Sequence, residues 1–140
     1  MKGQCHCSAV TVDFETGQTL EDLVARACQC AFCRKHGART VADPQGQLTV
    51  TSASNEAINR YRFGERTADF LICASCGVYL CAVVEADGLF YSTLNINVMD
   101  DRTAFSDRDE PVSYDGEAVA SRIARRVKAW TPTQIVVSGG

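Results

Sequence analysis

Seven of the eight cysteines in this chain fall into three short motifs. Cys5-His6-Cys7 is a C-x-C, Cys28-Gln29-Cys30-Ala31-Phe32-Cys33 a C-x-C-x-x-C, and Cys73-Ala74-Ser75-Cys76-Gly77 a C-x-x-C-G. In the last, a tight turn brings two sulfurs to one metal, and the glycine accepts positive φ where the chain bends away. That supplies two ligands, whereas a structural zinc takes four. Cys5 and Cys7 can supply the others, because alternate residues of an extended chain point to one side. The expectation is a closed four-thiolate site of Cys5, Cys7, Cys73 and Cys76 that ties the first strand to the middle of the chain.

Cys28, Cys30 and Cys33 offer three more thiolates close together. Three protein ligands with an open fourth position mark a catalytic zinc rather than a structural one. The alternatives are closure by His36 or Cys81, or no second metal at all. Cys81, inside the apolar run from Val78 to Val84, reads as a small buried hydrophobe. His6 reads as pointing away from the metal, and His36 as a hydrogen-bond partner or proton carrier. Arg34, Lys35 and Arg39 either hold a substrate carboxylate or offset thiolate charge. Scale separates the two groups: structural zinc contributes roughly 10–16 kcal/mol, against about 5–15 kcal/mol for a whole domain. Losing the closed site should unfold the protein; losing the three-cysteine site need not.

These groups sit in a chain of 140 residues and 15.2 kDa, the size of one domain. Its 46% hydrophobic and 22% charged fractions are those of a globular protein. No apolar run approaches the ~20 residues of a membrane helix, and the N-terminus lacks the apolar stretch of a signal peptide. A formal charge of −3 gives no reason to expect nucleic acid or an anionic membrane as partner. A cytoplasmic protein is expected, and in a reducing compartment clustered cysteines point to metal or catalysis rather than disulfides.

The positioning elements are mostly strands. Val10, Val12 and Phe14 alternate on one face. Leu23 to Cys28 and Gln47 to Thr51 read as short strands, with a compact Cys-rich turn from Cys28 through Gly37. Between about 58 and 98 the β-branched and aromatic runs, broken by Gly64-Glu65-Arg66 and Ala86-Asp87-Gly88, suggest an antiparallel meander. Residues 100–116 read as a charged surface connection. Val119, Ile123, Val127 and Trp130 recur with helical spacing, with Asp115 as N-cap and Pro132 beyond the end. The opposite face carries Arg122, Arg125, Arg126 and Lys128; in an acidic chain it reads as a solvated face rather than a nucleic-acid helix. The tail from Thr133 to Gly140 is read as a loose end or an edge strand. The fold class is mainly β with a C-terminal helix: residues 1–116 form the zinc-binding domain, and residues 117–140 pack on it as helix and tail.

Gly3-Gln4-Cys5-His6-Cys7-Ser8-Ala9-Val10, Cys28 through Gly37, and Cys73-Ala74-Ser75-Cys76-Gly77 together resemble the glutathione-dependent formaldehyde-activating family, which includes centromere protein V. Ser92-Thr93-Leu94-Asn95 is similar to the short motif that closes the family's meander. The resemblance implies a β-tent fold of small antiparallel sheets around a structural zinc on Cys5, Cys7, Cys73 and Cys76. It also implies a catalytic zinc on Cys28, Cys30 and Cys33, hence two Zn2+ per chain. The implied activity is that of a carbon–sulfur lyase, adding glutathione reversibly to formaldehyde to give S-hydroxymethylglutathione. A small-molecule thiol or aldehyde is then the partner, with His36 as proton carrier and Arg34 or Arg39 holding a carboxylate. The other reading is a non-catalytic zinc module that binds a protein or small ligand. The chain departs from the family at Ser8, where glycine is usual, at Val78, where serine is usual, and at Ile72, where an aromatic is common.

Overall fold

The computed structural model describes residues 1–105 and 109–138. Eleven strands among them build one curled, mainly antiparallel sheet. β1 (Lys2–Gln4) and β2 (Val10–Glu15) are antiparallel, and their connection carries Cys5 and Cys7. Val10, Val12 and Phe14 are buried as their period of two requires. β3 (Ala25–Cys28) leads into α1 (Ala31–His36), which is followed by β4 (Thr40–Val41) and β5 (Gln47–Ser52). β5 pairs with β2 and adds Leu48 and Val50 to the core.

β6 (Ile58–Tyr61), β7 (Asp69–Cys73), β8 (Tyr79–Ala86) and β9 (Leu89–Asn95) form the expected antiparallel meander. β8 is buried from Tyr79 to Val84 because it is covered on both sides. Cys81 and Val83 enter the main core, while Ala82 and Val84 pack on Trp130 at the end of α2 (Val119–Ala129). Cys81 is wholly buried and joins neither cysteine group. Among the described residues no helix is long and apolar enough to cross a membrane.

Four readings of local structure are corrected. The Cys-rich turn is a short helix, too brief to show a period: the Cys30 sulfur caps it and Gly37, at φ 58°, ends it. Within residues 100–116, Asp109–Val112 form β10, parallel to β3 at the sheet's edge, where Pro111 is tolerated. Asp107 and Arg108 of that stretch lie outside the described residues. Asp115 does not cap α2; Ala118 stands at that position without a side-chain bond. Arg122 instead ties the preceding turn, donating to the carbonyls of Tyr114 (3.0 Å) and Glu117 (3.4 Å).

The tail differs most. Thr131–Val137 form β11, an interior strand parallel to β5 and antiparallel to β9; Gly139 and Gly140 lie outside the described residues. Pro132 and the buried Thr131 and Thr133 hide it from an apolar pattern. The Thr131 hydroxyl accepts the Asp43 backbone N–H at 2.8 Å in a buried setting. Thr131→Val should therefore lower stability by about 1–3 kcal/mol, leaving that N–H without a partner, whereas Thr131→Ser should cost less. Urea denaturation of the two variants checks this.

Candidate metal centres and their cleft

The four sulfurs of Cys5, Cys7, Cys73 and Cys76 lie within 4.8 Å of one another. Cys5 and Cys7 are 3.7 Å apart, and Cys7 and Cys73 are 3.5 Å apart. Two bends bring them there. After Cys7 the chain turns through Ser8 at φ 69°, with the Ser8 N–H bonded to the Cys5 carbonyl at 3.2 Å. After Cys76 it turns through Gly77 at φ 80°, whose N–H reaches the Cys73 carbonyl at 2.9 Å, as the motif predicts. Backbone N–H groups also point at sulfur: Val10 at Cys5 (3.4 Å) and Cys76 at Cys73 (3.5 Å). Cys5 and Cys73 are buried in the main core, and Cys7 faces outward.

Without a cation these sulfurs share protons. Burial pushes the Cys76 thiol up, but the N–H groups of Val78 and Cys7 and the thiols of Cys73 and Cys5 bring it down to about 6. The Ala9 N–H pulls Cys7 down, yet its bonds to Cys73 and Cys5 and its burial push it up to about 11. A tetrahedral zinc with sulfurs at about 2.3 Å has ligand edges of roughly 3.8 Å. The 3.5 and 3.7 Å separations match that edge, so the donor set fits a soft tetrahedral cation.

The sulfurs of Cys28, Cys30 and Cys33 also lie within 4.8 Å of one another. Cys28 ends β3, held by the Gln29 N–H donating to the Val112 carbonyl of β10 at 3.0 Å. Cys30 caps α1 by accepting the Cys33 N–H at 3.4 Å, and Cys33 is buried one turn on. The Cys33 thiol donates to Cys28 and, against burial, holds it down at about 5; the Arg126 charge adds to this. That same bond, with burial, pushes Cys33 far above the ordinary thiol range. Among the described residues no fourth ligand joins the three: neither His36 nor Cys81 is in the group.

The second group opens on a cleft of about 480 Å³. Phe63, Phe70 and Tyr79 line it on the meander side, and Arg122, Arg125, Arg126 and Trp130 line it from α2. Burial, and the nearby Cys33, hold the Tyr79 phenol well above its usual range, so it keeps its proton. Asn95 anchors that residue, its side-chain amide donating to the Tyr79 carbonyl at 3.0 Å. Arg34 and Arg39 do not line the cleft, and nor does His36, which is exposed and lies tilted against Phe32 with ring centroids 4.5 Å apart. The basic face of α2 is not solvated, contrary to expectation: its arginines turn toward the cleft, and Lys128 alone among those four is exposed. The signal was present, since Arg122, Arg126 and Trp130 follow one another at four-residue steps and so share a stripe. Tyr79, inside an apolar run, gave no such signal.

A curled sheet with one tight four-sulfur cluster and one three-sulfur cluster at a cleft defines a cysteine-rich β protein with two candidate soft-metal sites. The family model described as glutathione-dependent formaldehyde-activating enzyme matches residues 1–112, and the chain belongs to that family. A crystal structure of a Rhodobacter sphaeroides protein is similar at 30% identity and a TM-score of 0.62, covering 80% of this chain and 100% of that one. No curated protein matches the chain. α2 and β11 lie beyond the family match.

Ser8 shows why glycine suits the position after the first C-x-C: φ 69° costs a side chain roughly 1–2 kcal/mol. Ser8→Gly should raise stability by about 0.5–1 kcal/mol after the extra conformational entropy that glycine gives up on folding is subtracted. A higher thermal midpoint with unchanged metal content would bear this out.

Proposed function

We propose that the protein is a zinc-dependent carbon–sulfur lyase that joins a thiol to a small aldehyde and reverses the addition, as in S-hydroxymethylglutathione. The observation that carries this reading is the three-sulfur group at a cleft, with no fourth protein ligand among the described residues. Cys28, Cys30 and Cys33 would hold one zinc, and Cys5, Cys7, Cys73 and Cys76 the other. Bound at the cleft, zinc supplies a Lewis acid that favours thiolate over thiol at neutral pH. Working through free thiols suits a reducing compartment such as the cytoplasm.

The chain's own residues do the rest. Phe63, Phe70 and the Tyr79 ring form an apolar wall that keeps water from the aldehyde carbon. In the forward direction the thiol gives up its proton, its sulfur forms a bond to the carbonyl carbon, the C=O π pair moves to oxygen, and that oxygen takes up one proton, so none is gained or lost overall. Tyr79, which keeps its proton, would hydrogen-bond the developing oxyanion, while the proton that the oxygen takes up balances the one the thiol released. In reverse the hydroxyl loses its proton, the carbonyl re-forms and the carbon–sulfur bond breaks, with the sulfur taking the electron pair and regaining a proton. No oxidant or reductant is consumed.

Exchange between glutathione and its formaldehyde adduct, followed by NMR, tests this. The zinc-loaded protein should speed exchange, and Cys33→Ala should remain folded while exchange falls to the uncatalysed rate. A folded wild type that accelerates exchange with neither glutathione nor other small thiols would sink the lyase reading in favour of a binding module.

A further inference from the structure

The cleft carries a cation without an anion. A guanidinium drawn out of water is stable only beside an anion or a full set of acceptors. Two of the three α2 arginines have an anion. Arg125 grips Glu117 in a two-pronged pair at 3.0 and 3.1 Å and lies 3.5 Å over the Tyr114 ring. Arg122 shares Glu117 at 3.5 Å and reaches Glu65 at 3.6 Å.

Arg126 has neither. Its Nη1 donates to the Thr67 hydroxyl at 2.8 Å, and its guanidinium lies 4.9 Å from the Trp130 ring centroid. Its Nε is buried and bonds to nothing. Among the described residues no carboxylate is within ion-pair distance of it, although Asp22 and Asp115 line the same cleft. Burial and the two neighbouring arginines hold it down at about 10, so it stays charged at neutral pH. Cys28 is near enough to interact with it, but a thiolate bound to metal has its charge committed to that metal. The edge left over is Nε with Nη2, the one that Arg125 uses on Glu117. Such an edge matches the two oxygens of one carboxylate.

We propose that Arg126 selects the substrate: the cleft takes a thiol that bears a carboxylate, held by Arg126 while the sulfur reaches the Cys28, Cys30 and Cys33 end. This rests on the cleft being the reaction site. It moves the acid-binding role from Arg34 and Arg39, which stand outside the cleft lining, to a helix beyond the family match. A cleft of about 480 Å³ accommodates such a ligand.

Trp130, the single tryptophan, lies beside Arg126 and reports binding without turnover. Zinc-loaded protein is titrated with 3-mercaptopropionate and with its neutral amide, 3-mercaptopropionamide. The acid should bind about tenfold or more tightly than the amide, the scale of a hydrogen-bonded ion pair. Arg126→Gln should erase the difference and leave amide binding within about twofold. Should that variant unfold, Arg126→Lys, whose ammonium cannot grip two oxygens, should still weaken the acid by about threefold or more. Propionate should compete better than inorganic phosphate. Equal affinity for acid and amide, a preference that survives in folded Arg126→Gln, or stronger competition by phosphate would overturn the assignment. Because the readout is binding, these results judge Arg126 alone, and absent turnover judges the lyase reading alone.

Discussion

The fold turns on bringing four sulfurs together from segments far apart in the chain: Cys7 and Cys73, 66 residues distant in sequence, have their sulfurs 3.5 Å apart. Four ionised thiolates at such range would repel, so the group either shares protons or holds a cation. Local features follow from that demand. Ser8 and Gly77 both take left-handed conformations to turn the chain around the sulfurs. The register shift between Leu71 and Ile72 lies just before Cys73, where a bulge re-aims a strand. Because Cys5 and Cys73 are also core residues, the cluster fastens the β1–β2 corner to the β7–β8 corner through the same packing that buries Val10 and Leu71.

The second group is built on different terms. Its cysteines sit on one strand end and one short helix, a single local stretch, so little of the sheet depends on them. They lie between a cleft and a small buried cluster with Ala38 and Tyr79, apart from the main core. The meander supplies an aromatic wall with a protonated phenol, and α2 supplies guanidinium groups, one without a counter-charge. Tight closure at one site and access at the other are what a structural and a reactive metal respectively require.

Both cysteine groups were legible because motif spacing encodes chemistry over a few residues, and Gly77 takes the positive φ its place in the motif implies. The meander was legible too, since β-branched runs broken by turn residues leave few alternatives. β11 and β10 were not: each carries a proline, and their partners β5 and β3 are distant in sequence and parallel to them. No local period announces such pairing. The cleft's α2 side was misread for a related reason. A helix shows which residues share a face, but only the packing of Ile123 and Trp130 against β8 decides that the arginines turn inward.

Metal content per chain decides whether one metal site holds the fold and a separate one serves the reaction. The protein is purified without added zinc, as wild type and as Cys33→Ala. Two zincs are expected in wild type and one in a variant that keeps its native circular dichroism. One zinc in both would mean that the three-cysteine group holds no metal, and would rule out a separate reactive metal site.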